Sequence, residues 1–223
     1  MTNQPSLFAE IPSDETEVPA IEGLTYVPDF LMPSEQEHVL REVDRQPWRH
    51  DLKRRVQHYG YRYDYKARRV DRSMFLGALP LFAVPAANQL VERSLFSRSP
   101  DQLIVNEYLP GQGITAHVDC EPCFAGAIAM VSLGWAYEMG LIHSQTRQVR
   151  NILLAVGSAL VISGEARYQW LHQIKARRSD RGIPRQRRVS LTFRNVVLCD
   201  TKQSGSQLME GTELADANRD ARS

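Results

Sequence analysis

From about Leu103 onward the apolar positions fall in short β-prone runs broken by Gly and Pro: LIVNEYL, ITAHVDC, AIAMVSLGW, ILLAV, ALVIS, ARYQWLHQI and RVSLTFRNVVL. Seven such runs at close spacing predict a sandwich or barrel of the jelly-roll kind. Upstream the period changes. Pro33-Ser34-Glu35-Gln36-Glu37 reads as a capping box with Ser34 as N-cap, and Val39, Leu40 and Val43 follow at helical spacing, so a helix is expected from about 35 to Pro47. A second helix is expected between Pro85 and Phe96, with Leu90, Val91 and Leu95 turned inward. The fold class is mainly β with flanking helices: an N-terminal helical region (21–102) wrapped on a β-core (103–199).

Composition bounds this picture. The 223 residues are 43% hydrophobic, enough for one sizeable core. No apolar run reaches 18 residues, so no membrane partner is expected. The first twenty residues carry four acids and no Lys or Arg, and 200–223 carry five acids against three bases. Both segments are too polar to pack and are expected to be disordered tails around a single domain, 21–199. That middle is left with 24 bases against 17 acids, a net of +7, which suits a polyanionic partner or a solvated basic face. The N-terminus has no secretory pattern, and three cysteines are too few for a disulfide scaffold, so a monomeric cytoplasmic protein with free thiols is expected. Cys120 and Cys123 form a C-x-x-C without a second pair and read as buried thiols.

Candidate chemistry sits on the β-core. On a strand, His117 and Asp119 face the same side, and His172 lies 53 positions beyond Asp119. Two His and one carboxylate make the facial triad suited to non-haem Fe(II). A dicarboxylate cosubstrate such as 2-oxoglutarate needs a fixed cation. Arg188 and Arg194, six apart, share one strand face with Ser190 and Thr192, while Val189, Leu191 and Phe193 share the other. Asn106 and Tyr108, two apart and just before the Pro110-Gly111-Gln112-Gly113 turn, can add hydrogen bonds to the same ligand.

Asn-x-Tyr, Pro-Gly-x-Gly-Ile, His-x-Asp, Ser-Leu-Gly, Gly-Glu-Ala-Arg-Tyr-x-Trp-x-His and Arg-x-Ser-Leu-Thr-Phe-Arg, between Asn106 and Arg194, resemble the AlkB family of Fe(II)- and 2-oxoglutarate-dependent dioxygenases. The resemblance implies a double-stranded β-helix in which His117, Asp119 and His172 bind iron. It implies that Asn106, Tyr108, Arg188 and Arg194 hold 2-oxoglutarate, with Arg194 near the metal-chelating end and Arg188 on the distal carboxylate. Family members use O2 to hydroxylate the N-alkyl carbon of alkylated nucleobases, which leaves as an aldehyde, with succinate and CO2 released.

Residues 53–69 hold seven bases, one acid and four tyrosines in seventeen residues. Basic groups for phosphates and aromatic faces for bases suit single-stranded or flipped nucleotides, and the segment is similar to the family's nucleotide-recognition lid. Arg54, Arg55, Tyr59 and Tyr61 are its candidate substrate contacts. The wording Arg-Arg-Val-x-His-Tyr-Gly-Tyr is closer to the branch that includes the animal tRNA wobble-uridine hydroxylases. In the family an acidic residue at the position of Glu121 accepts from the exocyclic amine of adenine or cytosine; Pro122 can end the strand and turn it away. Arg167 is open between the base pocket and a structural ion pair, and the run from Lys175 to Arg188 between a phosphate rim and a soluble loop. The expected activity is oxidative dealkylation of 1-methyladenine or 3-methylcytosine in single-stranded DNA or RNA. Open alternatives are a tRNA-base hydroxylase, an oxygenase of proteins or small molecules, and a non-catalytic nucleic-acid-binding module.

Overall fold

The computed structural model describes residues 16–50 and 52–198. The segments expected to be tails lie outside these for 1–15 and 200–223, as does Cys199. The elements are β1 (Leu24–Val27), α1 (Pro33–Arg45), β2 (Val56–Tyr59), α2 (Val84–Glu92), β3 (Gln102–Tyr108), β4 (Ile114–His117), β5 (Phe124–Leu133), β6 (Tyr137–His143), β7 (Val149–Leu154), β8 (Ala159–Ile162), α3 (Gly164–Tyr168), β9 (Trp170–Ile174), β10 (Ser179–Asp180), β11 (Ile183–Pro184) and β12 (Arg188–Val196). Every strand pair among the described residues is antiparallel.

A six-stranded sheet runs β1-β8-β5-β12-β3-β2 and faces a four-stranded sheet, β4-β9-β6-β7. This is the double-stranded β-helix expected, its larger sheet extended by β1 and β2. Alternation along β12 builds both of its faces. Val189, Leu191 and Phe193 are fully buried against Leu103 and Val105 of β3 and against α1 and α2. Burying side chains of this size contributes about 1.5–3 kcal/mol each. A second apolar cluster, with Ile128, Met130, Leu160, Met139, Leu141 and Ile174, fills the space between the sheets. The polar face of β12 opens into that same space.

The helices differ in detail from expectation. Helix α1 starts earlier, because Pro33 suits the first turn and Glu35, three beyond the cap residue Met32, accepts from the Met32 N–H at 2.7 Å. It stops at Arg45, short of Pro47. Helix α2 ends at Glu92, where the chain folds back and the Leu95 and Phe96 N–H groups donate to the Leu90 carbonyl. The run expected as one strand over 166–174 divides: Glu165, Ala166 and Arg167 favour the helical turn of α3, and only Trp170 onward pairs. Strand β6 has no counterpart among the expected runs, since Glu138, Met139 and Gly140 dilute its β character. No helix among the described residues is long and apolar enough to cross a membrane.

Candidate active site

A cavity of about 390 Å³ lies between the sheets, within the usual size for a small-molecule site. Its floor comes from β12 and β3, which pair Ser190 with Asn106 and Arg188 with Tyr108. Arg188, Ser190, Thr192 and Arg194 line it, as do Ile104, Asn106 and Tyr108, every second residue of each strand. Opposite, β4 and β9 pair His117 with His172, and the two rings stand 4.4 Å apart. A close approach fixes this wall: a Cβ on Gly113 would collide with the Ile174 carbonyl, so the turn into β4 can lie flat on β9 only as glycine.

Asp119 reaches the site by a route other than strand alternation. Strand β4 ends at His117, and a 3-10 turn at Glu121–Cys123 follows. The carboxylate is buried; Arg194 Nη2 donates to Oδ1 at 2.8 Å, and Oδ2 has no hydrogen-bond partner among the described residues. His172 Nε2 lies 4.0 Å from that Oδ2. Burial and neighbouring His117 push the His172 pKa down to about 4 against the pull of Asp119, so the ring is neutral near pH 7 and the contact is not an ion pair. Burial opposes ionisation of Asp119, but Arg194, His172 and His117 outweigh it and hold the carboxyl below its ordinary value. His117 Nδ1 lies 2.8 Å from the Thr115 carbonyl, which fixes the tautomer that frees Nε2. Two imidazoles, that of His172 held neutral, and an ionised carboxylate with a buried oxygen left without a partner among the described residues fit a divalent cation of the non-haem iron type.

Arg188 is 1% exposed and, among the described residues, touches no carboxylate: Nη2 donates to Ser132 Oγ at 2.8 Å, the rings of Tyr108 and Tyr137 lie 5.5 and 5.9 Å away, and Nε finds no partner there. Burial pushes its pKa down to about 10, which leaves it charged at neutral pH. A buried cation without a counter-charge is costly until an anion joins it.

The basic, Tyr-rich segment divides between site and scaffold. Val56 pairs with Asn106, so Arg54 falls on the cavity face and Arg55 on the opposite one. Arg54 Nε donates to Asn106 Oδ1 at 2.9 Å, and Arg54 lines the cavity. Arg55 is not brought there: it pairs with Glu107 and stacks 4.5 Å from the Trp48 ring. Tyr59 is drawn toward the helices, edge-on to Phe82 at 5.7 Å, with its hydroxyl donating to Gln57; burial pushes its pKa up to about 12. Tyr61 packs on Phe75 instead, at 5.1 Å. Of this segment's tyrosines, Tyr63 and Tyr65, 5.0 Å apart, line the cavity, with Arg68 beside them. Period-two reading misses them because Gly60, at φ 73°, turns the chain; a Cβ there would strike the Asp101 carbonyl. That glycine is the signal available in the sequence.

Four further residues depart from expectation. Glu121 sits exposed on the 3-10 turn that Pro122 helps form, outside the cavity. Arg167, 1% exposed, donates to the Phe124 and Gly126 carbonyls and braces the start of β5; it forms no ion pair with a described residue and no part of the cavity. Cys120 and Cys123 are joined as a disulfide and not separate thiols, because the same turn brings their Cα atoms to 5.3 Å, within bridging range. Both sulfurs lie 3.3 Å from the Arg68 carbonyl. In the run after His172, Arg177 and Arg185 clamp Asp180, a structural role, whereas Lys175 and Arg178 lie at the surface or near it.

Comparison with known proteins places this arrangement. The 2OG-Fe(II) oxygenase superfamily model matches residues 23–194. The tRNA (carboxymethyluridine(34)-5-O)-methyltransferase alkbh8 of Xenopus tropicalis is 38% identical over 163 residues, 71% of this chain and 26% of its own length. The Alkylated DNA repair protein ALKBH8 homolog of Arabidopsis thaliana is 34% identical over 203 residues, 79% of this chain and 59% of its own. This chain therefore spans only about a quarter of the frog relative and under two thirds of the plant one. The solved structure of OsALKBH1 superposes with a TM-score of 0.60 at 18% identity, over 78% of this chain and 96% of that one, a likeness of fold.

Proposed function

The chain belongs to the 2OG-Fe(II) oxygenase superfamily, among its AlkB-type members, and from that premise we propose that it oxidatively dealkylates N-alkylated nucleobases, such as 1-methyladenine or 3-methylcytosine, in single-stranded DNA or RNA. It is a dioxygenase that uses Fe(II), 2-oxoglutarate and O2. Iron with its two cosubstrates supplies the oxidising power that hydroxylates an N-alkyl carbon, with succinate and CO2 as coproducts. The residues proposed to hold the metal are His117, Asp119 and His172. Arg188 would take the distal carboxylate of 2-oxoglutarate, Arg194 its metal-side end, and Asn106, Tyr108, Ser190 and Thr192 its remaining polar atoms.

One observation carries the substrate reading: the lid side chains Tyr63, Tyr65 and Arg68 line the same cavity as the two histidines and Asp119. Aromatic faces with a cation over a concave site are what a flipped or single-stranded base needs. A second reading, hydroxylation of a tRNA base with a stable product, is supported by the 38% identity to the frog tRNA enzyme. It is supported also by the exposure of Glu121, which leaves the cavity without that acceptor for an adenine or cytosine amine.

The test is nucleic-acid stimulation of succinate release. With Fe(II), ascorbate, 2-oxoglutarate and O2, single-stranded oligomers bearing 1-methyladenine or 3-methylcytosine are expected to raise succinate above the level set by unmodified oligomers. Stimulation by tRNA anticodon stem-loops alone would favour the second reading. No stimulation by any polymer would move the search to proteins or small molecules.

A further inference from the structure

We propose that Arg54, expected from sequence to grip phosphate, is a positioning residue for 2-oxoglutarate: its guanidinium orients the Asn106 amide so that the donor end faces the cosubstrate. The inference rests on the cosubstrate site proposed above.

Asn106 is 7% exposed in the middle of β3 and lines the cavity. Its amide carries an acceptor and a donor end of nearly equal size, so its surroundings decide which one the cavity meets. Arg54 supplies the decision. A guanidinium has donors only and stays charged, so Asn106 can face it only with Oδ1, and Arg54 Nε donates to that oxygen at 2.9 Å. The Nδ2 end is then turned toward Thr192, whose Oγ1 lies 3.4 Å away on the cavity face of β12. The opposite rotamer would set N–H against N–H at Arg54 and present a carbonyl oxygen to a ligand rich in oxygens.

The other charged side chains that the β3–β12 floor contributes are Arg188 and Arg194, so this end of the cavity is built for an anion, and an acceptor pointing into it would oppose binding. Arg54 thereby turns an ambivalent amide into a dedicated donor. Register makes the contact possible: with Val56 opposite Asn106, the residue two before it falls beside Tyr108, and Arg54 Cζ lies 5.8 Å from that ring. Half-buried at the root of the segment that carries Tyr63 and Tyr65, Arg54 also links the lid to the cosubstrate floor.

The experiment measures 2-oxoglutarate binding to the Mn(II)-loaded protein by calorimetry, without turnover, and separately the affinity for a fluorescent single-stranded oligonucleotide. Losing one charge-assisted contact and its orienting effect, Arg54→Met is expected to weaken 2-oxoglutarate binding by about tenfold while oligonucleotide affinity changes less than about twofold. Asn106→Ala is expected to reproduce that loss, and the double variant to add little to either. Fully additive losses, or a loss confined to the oligonucleotide, would overturn the proposal. Arg188→Ala is the control: if it leaves 2-oxoglutarate binding intact, the cosubstrate site itself is misassigned, whereas an effect of Arg188→Ala without one of Arg54→Met refutes the role of Arg54 alone.

Discussion

Arg194 holds one oxygen of Asp119 at 2.8 Å and leaves the other buried with no partner among the described residues. The guanidinium thus sets the carboxylate's orientation and keeps it ionised, while the free Oδ2 faces His172. A group that supports a ligand in this way typically accounts for 10–100-fold in metal affinity, roughly. Arg194→Met is therefore expected to weaken Mn(II) binding to the metal-free protein by about that factor in the absence of 2-oxoglutarate. Unchanged Mn(II) affinity would show that Asp119 needs no orienting partner.

Removing ligands should have unequal effects on folding. His172 makes no side-chain hydrogen bond to a described residue, so His172→Ala is expected to abolish metal-dependent succinate release with cooperative unfolding preserved. Asp119→Ala also strands the buried Arg194 charge and is expected to cost about 3–5 kcal/mol in denaturant unfolding as well. Equal stability of the two variants would contradict the assigned pairing.

Arg188 should matter to the cosubstrate and not to the polymer. Truncating one partner of a buried charge pair typically costs about 2–5 kcal/mol, so Arg188→Ala is expected to raise the 2-oxoglutarate requirement by well over about tenfold. Oligonucleotide affinity should be unmoved. The reverse pattern would put Arg188 on a phosphate path.

Within the lid, Tyr65→Ala is expected to weaken single-strand binding by about 1–3 kcal/mol, the usual worth of a stacked base. Tyr61→Ala, whose ring packs on Phe75 outside the cavity, should lower thermal stability and leave binding alone. Comparable binding losses from both would mean that the lid adopts another arrangement on nucleic acid.

Glu107 supplies a pH dependence away from the site. Its side chain, 2% exposed, lies between Arg55 and Arg187; burial opposes ionisation, but the two guanidiniums outweigh it and hold the pKa below the ordinary 4.5. A depressed folded-state pKa contributes stability that is fully present above the ordinary unfolded-state value and is lost as the pH falls through the folded-state one. Glu107→Gln is expected to flatten this part of the acid limb and to cost about 1–2 kcal/mol at neutral pH, discounted because both arginines are about a third exposed. An acid limb unaltered by the substitution would show that the pair is screened.

Alternation along an uninterrupted strand is legible in the sequence. The division of β12 into a packed face at Val189, Leu191 and Phe193 and a cavity face at Arg188 through Arg194 follows from period two alone. Where the strand stops, the same rule misleads. His117 and Asp119 converge through a loop, Glu121 leaves the cavity on the turn at Pro122, and Gly60 removes Tyr61 from the face that Tyr63 and Tyr65 join. Arg54 and Arg55, adjacent and chemically alike, are separated by a register between β2 and β3 that no local pattern announces. Arg167 carried no sequence sign of its carbonyl partners on β5, since those contacts form only after the sheet is assembled.

The most direct test of the proposed dealkylation is the mass of the base itself. Single-stranded oligomers carrying 1-methyladenine or 3-methylcytosine would be incubated with the protein, Fe(II), ascorbate, 2-oxoglutarate and O2, and then digested to nucleosides. The expected result is unmodified adenine or cytosine, with formaldehyde and succinate released in equal amounts. Succinate accompanied by a retained or hydroxylated methyl group, with no formaldehyde, would contradict dealkylation.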